Sequence, residues 1–275
     1  MKKLASVLLT SALSLGLLAG CGGAADAPAE DGGEALTIKV GASPAPHAQI
    51  LESVKDTLAE QGITLEIVEF TDYIVPNEAV ESGEIDANYF QHITYMDNFN
   101  AEHGTHLASV GSIHYEPFGI YAGTSDAIDG LAEGAKIGIP NDPTNGGRAL
   151  LLLQEQGLIT LPEDCGLEPT VLDIVEGNGY EIVEMDAAAL PRSLDSLDLA
   201  VINGNYAIQA GLDVSTALAI EAADGAAGTA YANVLAVKEG SEENAAVQAL
   251  LAALQSDTAK AFMEETYNGA VVPTF

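Results

Sequence analysis

An α/β body arranged as two lobes is the fold this sequence predicts, on three observations. From Leu36 onward, short β runs alternate with stretches of 3.6-residue periodicity, the pattern of an α/β chain. The units are too unevenly spaced for the eight regular repeats of a TIM barrel. The apolar fraction of 48% is that of a globular protein, and a length of 275 residues suits one large or two modest domains. Charge narrows the function: 41 Asp and Glu against 9 Lys and Arg give a net charge of −32. Such a chain is repelled by phosphate backbones and anionic lipid surfaces, which excludes nucleic-acid binding.

The first segment is an address. Lys2 and Lys3 precede an apolar run from Leu4 to Ala19, short for a membrane span and right for a secretory signal. The run ends Leu18-Ala19-Gly20-Cys21, which resembles a bacterial lipobox. Residues 1–20 therefore read as a lipoprotein signal peptide, with acyl chains, palmitate among them, expected on Cys21. Residues 21–35 are rich in Gly, Ala, Pro and acid and form a flexible tether spanning about 20 Å as a random coil. The expectation is a protein lipid-anchored at the extracytoplasmic face of the cell membrane. Cys165 is then left without a partner and reads as a structural residue.

The body follows in order. Leu36–Ser43 reads as a strand, and His47, Ile50, Leu51, Val54 and Leu58 mark one face of a helix closed by Gly62. Ile63–Phe70 is a strand, Asn77–Glu81 a short helix, and Ile85–Phe90 a buried strand leading into a helix through Met96. Leu107–Ser112 and His114–Ala122 are extended, Ala135–Pro140 is a strand, and Gly147–Gln156 is a helix rich in Ala and Leu. Further strands fall at Val171–Val175, Glu181–Met185, Leu199–Ile202 and Tyr231–Lys238, and helices at Glu242–Leu254 and Thr258–Tyr267 close the chain.

No phosphate loop, dinucleotide fingerprint, nucleophile elbow or zinc-protease helix occurs. The informative segment is Asn141-Asp142-Pro143-Thr144-Asn145-Gly146-Gly147-Arg148, which joins a strand to a helix. Thr144 or Asn145 can cap that helix, and two glycines leave its first turn bare for an anion. Arg148 reads as part of that turn, where the helix dipole disfavours a cation unless an anion is near. That anion is either a guest carboxylate, matched by the planar guanidinium, or an acid of the chain such as Asp142 or Glu155.

A second cluster gathers Tyr73, Tyr89, Phe90, His92 and Tyr115, in a chain only 5% aromatic; it either lines an apolar slot or packs the core. Asn203 and Asn233, at a strand end and inside a strand, either orient a guest's head group or serve the backbone. His103, His106 and His114 offer a three-histidine metal site, the basis for an alternative reading as a metal-dependent surface enzyme.

These segments resemble the NlpA/MetQ family, the substrate-binding lipoproteins of methionine ABC importers. The likeness runs through Asp72-Tyr73 with Pro76-Asn77, Ala87–His92 (ANYFQH), Asn141–Leu152 (NDPTNGGRALLL), Leu190-Pro191-Arg192, and Asn268-Gly269 with Val272-Pro273. It implies a periplasmic-binding-protein fold with residues 36–115 and 232–275 as lobe I and 116–231 as lobe II. Two crossing strands would form the hinge, near Ile113–Ala122 and Ala230–Lys238. L-methionine would lie between the lobes, with Arg148 on its carboxylate and Asn203 and Asn233 orienting the amino-acid head group. Tyr73, Tyr89, Phe90, His92 and Tyr115 would wall the thioether pocket. The partners implied are an ABC permease and its ATPase. The chain would act as a monomer without catalysis, cofactor or metal. Another small amino acid or a methionine-containing dipeptide is the alternative guest.

Overall fold

Two sheets organise the chain, each set by which runs alternate and which are apolar throughout. The computed structural model describes residues 36–222 and 226–275, so the expected signal peptide 1–20, tether 21–35 and acylated Cys21 lie outside the described residues. Leu36–Ala42 forms β1, with Ile38, Val40 and Ala42 turned into the core. A proline-containing turn at Pro44–Ala48 leads into α1 (Gln49–Ser53) and α2 (Lys55–Ala59). The sequence predicts one helix here, but the chain leaves helical geometry at Val54, with φ −107° and ψ 1°. The apolar face survives the break, because Ile50, Leu51, Val54 and Leu58 are all buried.

There follow β2 (Ile63–Glu69), α3 (Val75–Ser82), β3 (Ala87–His92), α4 (Ile93–His103) and β4 (Leu107–Tyr115). The chain then crosses to β5 (Gly119–Ala122), β6 (Lys136–Pro140), α5 (Pro143–Glu155), β7 (Glu181–Met185), β8 (Leu199–Ile202), α6 (Gly204–Gln209) and β9 (Ala219–Ile220). It returns through α7 (Ala226–Ala230) to β10 (Ala232–Lys238), α8 (Ala245–Leu254), α9 (Asp257–Tyr267) and β11 (Val272–Pro273). Val171–Val175, expected as a strand, instead begins with a single 3₁₀ turn at Val171–Asp173. Asp173 accepts from the Thr170 backbone N–H and hydroxyl, so local side-chain bonds outcompete a strand, and Leu172 is left exposed.

The first sheet has six strands in the order β11-β4-β10-β3-β1-β2, and the second has five in the order β7-β6-β8-β5-β9. β1 runs parallel to β2 and β3, β6 runs parallel to β7 and β8, while β10 and β5 run antiparallel to their neighbours. Each sheet is packed on both faces. Val40, Tyr89 and Leu235 belong to one cluster of the first sheet, and Phe90, Val234 and Ala236 to the other. In the second sheet, Ile137, Ile139 and Val201 face one cluster, and Tyr121, Ala200 and Ile202 the opposite one. Burial on both faces is why these strands read as continuous apolar runs. The chain changes sheet twice, between β4 and β5 and between β9 and β10.

Candidate ligand-binding site

Asp142 sets the site. Its Oδ1 accepts from the Asn145 backbone N–H at 2.9 Å, which makes Asp142 the N-cap of α5 and puts Pro143 in its first turn. The sequence reading placed the cap at Thr144 or Asn145; both lie inside the helix instead. Arg148 is consequently in the second turn, beyond the bare donors of the helix start, and the dipole is not what orders its charge. The glycines are not open to an anion either. A Cβ on Gly147 would lie 2.7 Å from Glu168 Cα, so Gly147 serves the close approach of residues 167–168.

Arg148 is 3% exposed and its charge is met by Glu221, not by Asp142 or Glu155. Nε donates to Glu221 Oε1 and Oε2 at 3.1 and 3.0 Å, Nη2 donates to Oε2 at 2.5 Å, and Nη2 also donates to the Glu116 carbonyl at 2.8 Å. Its guanidinium carbon lies 4.1 Å from the Phe118 ring centroid and 4.2 Å from that of Tyr231. Burial is the largest influence and opposes the charge, but the Glu221 carboxylate together with Tyr115 and Tyr231 holds the pKa above the ordinary value. Among the described residues Nη1 has no hydrogen-bond partner.

Arg148 lines a cavity together with Tyr73, Phe90, His92, Asn203 and Asn233, which the sequence assigned to one site. The two asparagines are each half used. Asn203 donates through Nδ2 to Asn145 Oδ1 at 2.9 Å, and its buried Oδ1 has no partner. Asn233 accepts through Oδ1 from His47 Nε2 at 2.9 Å, which leaves its Nδ2 as the free half. His92 accepts from the Tyr95 backbone N–H through Nδ1 and donates to Asn145 Oδ1 through Nε2 at 3.2 Å. Burial, with Arg148 nearby, lowers its pKa to about 3 against the opposing Asn145 hydrogen bond, so it is neutral. Tyr73 stacks on Tyr206, with centroids 5.0 Å apart, and lies 5.7 Å from Phe90.

Two expected wall residues are elsewhere. Tyr89 is fully buried and bonds the His114 ring on the far face of the first sheet. Val234 pairs with Gln91 but Leu235 with Tyr89, so Phe90 is the extra residue of a β-bulge that turns it toward the cavity. Tyr115 does not line the cavity; its hydroxyl donates to Glu221, so it supports the carboxylate that supports Arg148. The proposed histidine set also fails to assemble. His103 and His106 are exposed while His114 is buried, and the only cluster of three ligating groups among the described residues is His47, His114 and Glu116.

Several site residues escaped the sequence. Glu116 and Glu221 carry no motif and are two acids among 41. Asn205 receives the Tyr73 hydroxyl on Oδ1 at 2.6 Å and turns a buried, unpartnered Nδ2 into the cavity wall. Its signal was present, since Asn203-Gly204-Asn205-Tyr206 places two buried amides around a glycine at the start of α6.

Comparison with known proteins agrees with this architecture. The family model described as NlpA lipoprotein matches residues 38–275. The D-methionine-binding lipoprotein MetQ of Escherichia coli is 38% identical over 260 residues, covering 93% of this chain and 92% of its own. The membrane lipoprotein TpN32 of Treponema pallidum is 44% identical over 238 residues, covering 86% and 87%. A nutrient-binding protein of Burkholderia cenocepacia, solved bound to methionine, superimposes with a TM-score of 0.82 at 38% identity, over 86% of this chain and all 100% of its own. The two-sheet α/β architecture is therefore that of a substrate-binding protein, and the chain belongs to the NlpA lipoprotein family.

Proposed function

We propose that the chain is a non-enzymatic substrate-binding lipoprotein that captures L-methionine in this cavity and delivers it to an ABC permease and its ATPase. Residues 36–115 with 232–275 would act as one lobe and 116–231 as the other, the protein working as a monomer tethered by lipid on Cys21. One observation carries the reading: the polar groups left unpaired in the wall divide into donors and an acceptor. Arg148 Nη1 and Asn233 Nδ2 suit a carboxylate, and Asn203 Oδ1 suits an ammonium. Between them Tyr73, Phe90 and Tyr95 offer an apolar slot for a thioether side chain.

Energies support this division of labour. Micromolar to nanomolar affinity needs roughly 8–12 kcal/mol. Burying a methionine side chain supplies about 1.5–3 kcal/mol of that. Charge-assisted bonds at the head group carry much of the remainder, strengthened when water is expelled.

Calorimetric titration of protein stripped of guest by unfolding and refolding tests the reading. Saturable heat at one L-methionine per chain is expected, and the absence of heat with either enantiomer overturns it. The relatives' names specify D-methionine, so the ratio of the two affinities reads stereopreference. Stronger binding of glutamine or a methionine dipeptide would reassign the guest.

A further inference from the structure

Behind the cavity wall lies a cluster that the head-group bonds above do not use. Glu116 is buried on the first crossing between the sheets, and Oε1 receives His114 Nε2–H at 2.8 Å and lies 3.3 Å from His47 Nε2. The His114 ring in turn accepts the Tyr89 hydroxyl on Nδ1, and His47 donates to Asn233. Each of the three ligating atoms is thus already engaged by a hydrogen bond, the arrangement of a proton-sharing cluster. The other carboxylate edge is in the cavity wall: a Cβ on Gly204 would lie 2.8 Å from Glu116 Oε2. Gly204 follows Asn203, whose Oδ1 is the unpartnered acceptor, so two acceptors occupy one corner of the cavity.

We propose that Glu116 is the counter-charge for the guest's ammonium, that His47 and His114 are the positioning residues that aim it, and that guest binding is coupled to Glu116 ionisation. The proposal rests on the amino-acid reading above and adds the group that selects a free amine. The groups facing Glu116 are His47 and His114 from the first-sheet side and Arg148 from α5, with Glu221 neutralising Arg148. The hydroxyls of Tyr73, Tyr89 and Tyr267 complete its titratable surroundings. Burial raises the Glu116 pKa, with His47 and Arg148 opposing the rise. Burial lowers the His47 and His114 pKa values to about 4 and about 3, so both rings are neutral donors. An arriving ammonium favours the carboxylate, and any proton that Glu116 holds in the empty cavity leaves to solvent.

Titration with L-methionine in pairs of buffers of unlike ionisation enthalpy, from pH 5 to pH 8, reads that proton. Net release of a fraction of a proton at low pH, vanishing toward pH 8 and abolished in E116Q, is expected. H114Q, which keeps a donor near Nε2, should bind within about threefold of the native chain, whereas H114L should lose at least tenfold and shift the pH profile. Full binding without proton exchange at any pH, or undiminished release in E116Q, overturns the coupling and leaves the amino-acid reading standing. No methionine heat at any pH overturns both. One zinc per chain, retained with loss of methionine binding, overturns the proposal in favour of a metal on the same three atoms.

Discussion

The two walls of the cavity treat charge in opposite ways. On the α5 side a guanidinium is buried and kept charged, because Glu221 holds one edge of its fork and the Glu116 carbonyl takes another donor. On the β3 side three ionisable rings, the buried His92 and Tyr95 and the half-buried Tyr73, are kept neutral, each held from its charged form first by desolvation. The contrast separates two tasks. In the proposed binding mode, charge would be recognised where the fold supplies a compensating carboxylate, and shape where no net charge is present to compete for the guest's ends.

Acid tests the neutral side most severely. His47, His92 and His114 have folded pKa values lowered to about 4, about 3 and about 3. As the pH falls below about 6.5 the unfolded chain binds these protons first, so stability is present above that pH and is lost as it falls toward the folded values. Each histidine contributes a loss of about 1 kcal/mol over the first unit, about 3 kcal/mol for the three, with the raised pKa of Glu116 acting in the opposite sense. Calorimetric melting should show a drop in Tm on the order of 10 °C between pH 7 and pH 5.5. A flat profile would mean that the rings are not held neutral.

Arg148→Ala tests the charged side. Methionine affinity should fall at least tenfold, about 1.5–3 kcal/mol, as one charge-assisted contact is lost. Unchanged affinity would make Arg148 a partner of Glu221 alone. Asn203→Ala probes the junction between the walls and should weaken binding about fivefold, near 1 kcal/mol, because its free acceptor is lost while the Asn145 bond is also broken. The smallest change lies away from both walls. Leu172 is 91% exposed, and Leu172→Asp should move stability by less than about 0.5 kcal/mol and leave binding unaltered.

Most of the architecture was legible because both faces of each sheet are covered, so the strands announce themselves as apolar runs. Val171–Asp173 misled for a physical reason: the apolar pair Val171 and Leu172 means little when Thr170 and Asp173 close a turn around it. The site was legible where residue type is rare. One of only two arginines, three members of the aromatic cluster (Tyr73, Phe90 and His92) and the asparagines Asn203 and Asn233 all reach the cavity. What the pattern could not carry was direction. Phe90, at the register shift opposite Val234 and Leu235, lines the cavity, and Tyr89 does not. The carboxylates were hidden by abundance, since nothing local separates Glu116 and Glu221 from the solvated acids around them.

One further consequence follows from where those two carboxylates sit. Glu116 lies on the outgoing passage between the sheets and Glu221 on the returning one, and Arg148 grips the backbone of the first and the side chain of the second. The guanidinium is therefore a rivet through both straps of the molecule. Any swivel of one sheet against the other that alters the separation of the straps must strain or break the bonds of that rivet, so the side chain proposed to hold the guest is also the one that ties the two passages together.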